Sequence, residues 1–214
     1  LGLETGGFEL PAGTDLPRGL FAGSLRLAGS TNEGGWQLGL SDLELQGTVN
    51  DLPAHISGYV GIDSDLKLSA SDLQAELNEA RALLRTSGED GMPGQFELTV
   101  ADLGRWLPDS KGRLSLRGEM AADWQQLDWS GTVGDITWSG ISVASGEFSG
   151  NYTSGPSQLF RLDLALAQLE LAGVALTDLR LTADGTGVAQ TLSLRSRGDV
   201  EGALVLDGVL RDDG

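Results

Sequence analysis

The chain has 214 residues, no cysteine and a formal net charge of -17. A disulfide framework and a thiolate metal site are therefore excluded, and so acidic a surface repels phosphate backbones and anionic headgroups, which argues against a nucleic-acid partner. No stretch reaches the ~18 consecutive apolar residues that a membrane-spanning helix needs.

Glycine accounts for 32 residues, about twice its usual share. Leucine leads the apolar residues, where valine and isoleucine lead most β proteins. The chain begins at Leu1 and is read as a piece of a longer protein. Residues 1 to 22, with Gly6-Gly7, Pro11 and Pro17, predict short extended pieces and turns. Strands are predicted at Gly23 to Gly29, at Trp36 to Leu40 after the turn Asn32-Glu33-Gly34-Gly35, at Leu43 to Val49, and at Ala54 to Val60 after Asn50-Asp51-Leu52-Pro53. Between 65 and 85 two readings compete. Leu73, Leu77, Ala80 and Leu84 recur at helical spacing behind a capping Asp72. The same residues also alternate: Leu66, Leu68, Ala70; then Leu73, Ala75, Leu77; then, past Asn78-Glu79, Ala80, Ala82, Leu84. The surrounding repeat favours strands and a hairpin.

Ser87 to Gly94 is a predicted loop, and Phe96, Leu98 and Val100 alternate again. Asp102 to Pro108 breaks the pattern; Asp102 can cap one helical turn and Pro108 stop it. This break, near 102–109, is the best internal boundary of what otherwise reads as one continuous segment, 1–214. Strands follow at Leu114-Leu116, Leu127-Trp129, Ile136-Trp138, Ile141-Val143, Phe148-Tyr152, Phe160-Leu166, Leu192-Leu194 and Leu204-Leu206. The total is about 15 strands at the spacing of an all-β architecture. After Leu166 the alternation slips by one residue at Ala167-Gln168 and again at Thr177-Asp178. Such slips are candidate bulges that bend a sheet. A degenerate step, Leu-x-Leu-x-Gly, recurs at Leu43–Gly47, Leu114–Gly118, Leu169–Gly173 and Leu204–Gly208, and with Trp129 in the second place at Leu127–Gly131. Its glycines are read as strand ends, and its recurrence as an elongated, repeat-built body.

No reactive constellation emerges. His55 is the one histidine and alternates onto the polar side of its strand. The carboxylates lack an activating partner, and Asp90-Gly91, Asp184-Gly185 and Asp207-Gly208 lack calcium-ligand spacing and read as turns. No enzyme, cofactor or metal is expected. Trp124, Trp129 and Trp138 read as core packing, with ligand contact the alternative.

Ala101 to Gly118, with Asp102-Leu103, Leu107-Pro108 and Gly112-Arg113-Leu114-Ser115-Leu116-Arg117-Gly118, is similar to a known family. Leu45-Gln46-Gly47-Thr48-Val49-Asn50-Asp51-Leu52-Pro53 and the steps from Leu159 to Leu206 extend the likeness. The sequence resembles the C-terminal half of the TamB family, inner-membrane subunits of translocation and assembly modules within the AsmA-like bridge proteins. The resemblance implies a long, mostly antiparallel sheet curled into a U-shaped trough, the β-taco, with an apolar groove. It implies a location in the periplasm of a Gram-negative bacterium, in a protein anchored in the inner membrane. It implies phospholipid or another acyl chain as ligand, an outer-membrane barrel subunit (TamA) as partner, and outer-membrane protein or autotransporter clients. The groove lining expected on this reading is Leu43, Leu45, Ile56, Leu66, Leu98, Leu114, Leu116, Phe160, Leu162, Leu164, Leu166, Leu192, Leu194, Leu204 and Leu206. Two alternatives stand beside it: a chaperone holding unfolded outer-membrane strands by strand addition, and a structural solenoid or adhesin module with a closed core.

Overall fold

Alternating apolar residues make strands here almost without interruption. The computed structural model describes residues 2–9, 19–32, 35–89, 92–107, 109–155 and 158–209. Among them the regular elements are strands and one 3₁₀ turn. The chain divides into two compact units, Leu1–Leu98 with Ala121–Asp123, and Thr99–Met120 with Trp124–Gly214.

The first unit holds β1 (Gly2–Glu9), β2 (Gly19–Asn32), β3 (Gly35–Val49), β4 (Leu52–Asp63), β5 (Ser71–Leu77), β6 (Ala80–Thr86) and most of β7 (Gly94–Val100). Its strand order is the chain order, and the pairs from β1 to β6 are antiparallel. The strands expected at Trp36–Leu40 and Leu43–Val49 are one strand, β3. The slip between them is a bulge, with Asp42 at φ 51 and a register shift between Leu40 and Leu43. Both halves pair with the same neighbours, so the extra residue kinks the strand without ending it. Asn50 and Asp51, at φ 49 and 64, make the two-residue turn into β4.

The hairpin reading of 71–86 holds, with Asn78 at φ 53 in its turn. The helical spacing lost because β4 offers β5 a complete ladder, Ala54 opposite Leu77 and Gly58 opposite Leu73. The expected strand through Leu66, Leu68 and Ala70 is not formed. Asp63 accepts the backbone N–H groups of Asp65 and Lys67, each at 2.9 Å, and the chain turns there with Leu66 at φ 61. Leu68 keeps a single bridge to Ile62. Phe21, Leu43, Leu45, Val49 and Ala54 form the buried cluster of this unit, with Leu25, Ile56, Leu73 and Leu77 against it. Burying each of the larger side chains is worth about 1.5–3 kcal/mol. Ser71 is buried among these strands but satisfied. Its hydroxyl donates to the Ser69 carbonyl at 2.9 Å and accepts from the Gly61 N–H at 3.2 Å.

The second unit opens on the 3₁₀ turn Leu103–Arg105, capped as expected by Asp102, whose carboxylate accepts from the Gly104 N–H at 2.9 Å. Pro108, the expected stop, lies outside the described residues. Then come β8 (Ser110–Met120), β9 (Gln126–Trp138), β10 (Ile141–Thr153), β11 (Leu159–Leu171), β12 (Val174–Thr186), β13 (Ala189–Gly198) and β14 (Gly202–Val209). Each pairs antiparallel with its successor. The predicted short strands 127–129 and 136–138 are joined in β9, and 141–143 and 148–152 in β10.

Two sequence features change meaning. Most glycines of the repeat do not end strands: Gly47, Gly118, Gly131 and Gly208 lie inside them, as Gly146 and Gly150 also do, while Gly173, with Ala172, carries a turn. The slips are also one feature, not two. Gln168 (φ 53) falls between the pairs Ala167–Asp178 and Leu169–Leu176, so it faces Thr177. On its other side it faces Ala144, and Ala144 faces Asp135, at φ 52. Four neighbouring strands therefore insert their extra residue in the same row. Beyond that row Ile136, Val143, Leu169 and Leu176 take up the apolar side.

Candidate functional site: an apolar face across seven strands

Strand pairing converts the Leu-x-Leu steps into rows. One row crosses the second unit as Leu116, Gly131, Phe148, Leu164, Leu181, Leu194 and Leu204. The next is Gly118, Trp129, Gly150, Leu162, Ala183, Leu192 and Leu206. On its far side, Met120, Leu127, Tyr152 and Phe160 begin another. Leu114, Val133, Gly146, Leu166 and Leu179 run beside the first row and end at Ser196. Directly opposed side chains in such a ladder stand about 5 Å apart, so the rows make one continuous apolar surface. Its burial declines along the chain. Met120 is buried, Leu162, Leu164 and Leu166 are half-buried, and Leu204 and Leu206 are 49% and 51% exposed.

Ten of the expected lining residues lie on this face: Leu114, Leu116, Phe160, Leu162, Leu164, Leu166, Leu192, Leu194, Leu204 and Leu206. The others are elsewhere. Leu43 and Leu45 belong to the buried cluster of the first unit and Ile56 packs on it. Leu98 is half-buried on β7, and Leu66 stands at its turn, 60% exposed. Val133, Phe148, Leu179 and Leu181 share the face and were absent from the expected lining. The signal was available, since each continues a period-two pattern through an intervening glycine or slip. Trp129 is on the face too, half-buried, whereas Trp124 and Trp138 are about half exposed, at 49% and 51%.

The glycines shape the middle of this surface. Trp129 has Gly118 on one side and Gly150 on the other. A Cβ at Gly150 would run into the Trp129 indole, and one at Gly131 into the Phe148 ring. Each aromatic ring therefore lies across the glycine of the next strand, covering backbone that has no side chain of its own.

The opposite face is polar. The row behind the first is Arg117, Ser130, Ser149, Asp163, Thr182 and Ser193. In the first unit the polar face carries His55, whose Nε2 lies 2.7 Å from Glu44 Oε1 across β3 and β4. Both side chains are well exposed, so His55→Ala should shift urea-derived stability by less than about 1 kcal/mol. A larger loss would show the pair to be structural.

A single chain that is apolar along one side of seven consecutive strands and polar along the other is an amphipathic β wall. The family model described as "TamB, N-terminal domain" matches residues 15–214, and the chain belongs to the TamB family. It is 25% identical over 187 residues to the translocation and assembly module subunit TamB of Haemophilus influenzae. That match takes in 83% of this chain, and the chain spans about 14% of the relative's length. No solved structure matches. The expected place in the C-terminal half is corrected, because the matching model is the N-terminal domain. A step that recurs throughout the chain identifies the repeat and not its position in a longer protein.

Proposed function

We propose that this chain is one section of a periplasmic wall that shields phospholipid acyl chains in passage between the inner and outer membranes. The observation that carries the reading is the half-exposed apolar face running unbroken from β8 to β14. Each methylene laid against it gains up to about 0.8 kcal/mol, so an acyl chain needs no polar contact to stay and meets no barrier to sliding. Leucine suits such a surface, being apolar and uniform. The whole protein, on this reading, is anchored in the inner membrane, meets the outer-membrane barrel TamA and supports assembly of outer-membrane proteins. No reaction is part of the proposal.

A second reading, a chaperone holding unfolded outer-membrane strands, uses the same apolar face, on which Leu204 and Leu206 are 49% and 51% exposed. Substitution at Leu164, in the middle of the face, separates these readings and the closed core. Leu164→Arg should leave the thermal midpoint within a few degrees of wild type while abolishing uptake of labelled phospholipid. Unfolding would instead mark a closed core, where an unpaired charge costs several kcal/mol. Wild-type protein that carries no lipid and takes none up would sink the acyl reading. Crosslinking of client peptides to that face of the same protein would then favour the chaperone.

A further inference from the structure

Most described arginines of this acidic chain are neutralised. Arg26, Arg81, Arg85, Arg105, Arg113 and Arg161 each hold a carboxylate at 2.9 to 3.6 Å. Four hold none among the described residues: Arg117, which donates to the Ser130 hydroxyl, and Arg180, Arg195 and Arg197, which line one cleft of about 660 Å³ across β11 to β14. Arg180 stands directly opposite Arg195 in the ladder. Like charges placed so are destabilising. Asp178 stands opposite Arg197 and Glu201 is also on the cleft wall, yet neither carboxylate pairs with the arginines. In a chain of net charge -17, three arginines border one hollow with no carboxylate bound to any of them.

We propose that Arg180, Arg195 and Arg197 form a binding site for a phosphate-class anion in the second unit. A carboxylate has two oxygens and is filled by one guanidinium fork; a phosphate offers three or more and accepts from several at once. Asp178 and Glu201 at the wall repel a long acidic peptide at many points and a compact phosphate at few. Bound phosphate relieves the Arg180–Arg195 repulsion, so the protein gains from the ligand in addition to the contacts themselves. The three arginines occupy the strand positions that alternate with the apolar rows, Leu166 and Leu179 of those rows complete the wall, and the site does not depend on the acyl reading.

The test is a calorimetric titration of the whole chain with inorganic phosphate and with glycerol 3-phosphate at low salt, where screening is weakest. Saturable one-to-one binding is expected, weakened at least tenfold in Arg195→Gln and again in Arg197→Gln. Arg195→Gln should melt no lower than wild type, since it relieves the opposition to Arg180, and Arg197→Gln, which faces Asp178, should stay within a few degrees of it. Vesicle flotation then tells the sources apart. Capture by phosphatidylglycerol vesicles, lost in Arg195→Gln and competed by inorganic phosphate, assigns a lipid headgroup. Binding of the soluble phosphates without vesicle capture assigns a free phosphate. The proposal is overturned if wild type shows no saturable binding, if the variants bind as tightly as wild type, or if an acidic peptide displaces phosphate with higher affinity.

Discussion

Gly58→Ala should destabilise the first unit by about 4 kcal/mol, the sum of a left-handed backbone forced on a residue with a Cβ and a collision in the ladder. Gly58 has φ 122 and pairs with Leu43 on one side and Leu73 on the other. A Cβ there would fall on the carbonyl oxygen of Asp72, with the carbonyl carbon 3.0 Å and the Leu73 Cα 3.1 Å away. These are backbone atoms of β5, so no rotamer change relieves the contact. The only escape separates β4 from β5 and opens the cluster that Leu43, Ile56 and Leu73 help close. Urea unfolding would read the effect as a fall in midpoint at unchanged slope. Gly39→Ala is the control. Nothing lies within 4 Å of its built Cβ, and its stability should move by less than about 0.5 kcal/mol. Equal midpoints for the two variants would show that the β4–β5 ladder contributes little.

Deleting Gln168 should be nearly as damaging, by another route. A one-residue change of register turns every side chain on one flank to the other face. The flank from Phe160 to Leu166 carries four large half-buried or exposed apolar side chains; the flank from Leu169 to Leu171 carries Leu169, which is 7% exposed, and the exposed Leu171. Reversing the longer flank forfeits roughly 4 kcal/mol at about 1 kcal/mol for each partly buried side chain; reversing the shorter forfeits roughly 2–3 kcal/mol for Leu169. The shorter flank should yield. Amide exchange should therefore rise at the β11–β12 tip and stay low from Phe160 to Leu166. Uniform exchange along β11 would contradict this. Removing Asp135, Ala144, Gln168 and Thr177 together deletes the whole row and should restore much of the protection, because the strands then shift in step.

The sequence made the strands legible because their signal is local: a residue's parity decides its face. The Phe160–Leu166 alternation and the 71–86 hairpin were readable on that basis. Strand length was not. A slip in one strand looks like an end until its neighbours are known to slip beside it, so 36–40 and 43–49 read as two strands from sequence alone. The glycines misled for the same reason. Gly150 sits within β10 because Trp129, a strand away, covers it, and no spacing within β10 reveals that. Burial divided the expected lining. Leu43 and Leu164 occupy the same kind of step, yet one is core and the other lies on the half-exposed face.

Within each unit the described strands pair with their neighbours in the sequence, and most turns between the long strands of the second unit take only a few residues. This has a consequence for how the protein is made. No strand waits for a distant partner, so loop closure is cheap throughout. A chain of this kind acquires ladder as each new hairpin is completed. Growth proceeds from the first strand onward, with an unpaired edge always at the newest end. That edge is where a chaperone or a mispaired segment would compete, and the hazard moves along the chain as synthesis advances.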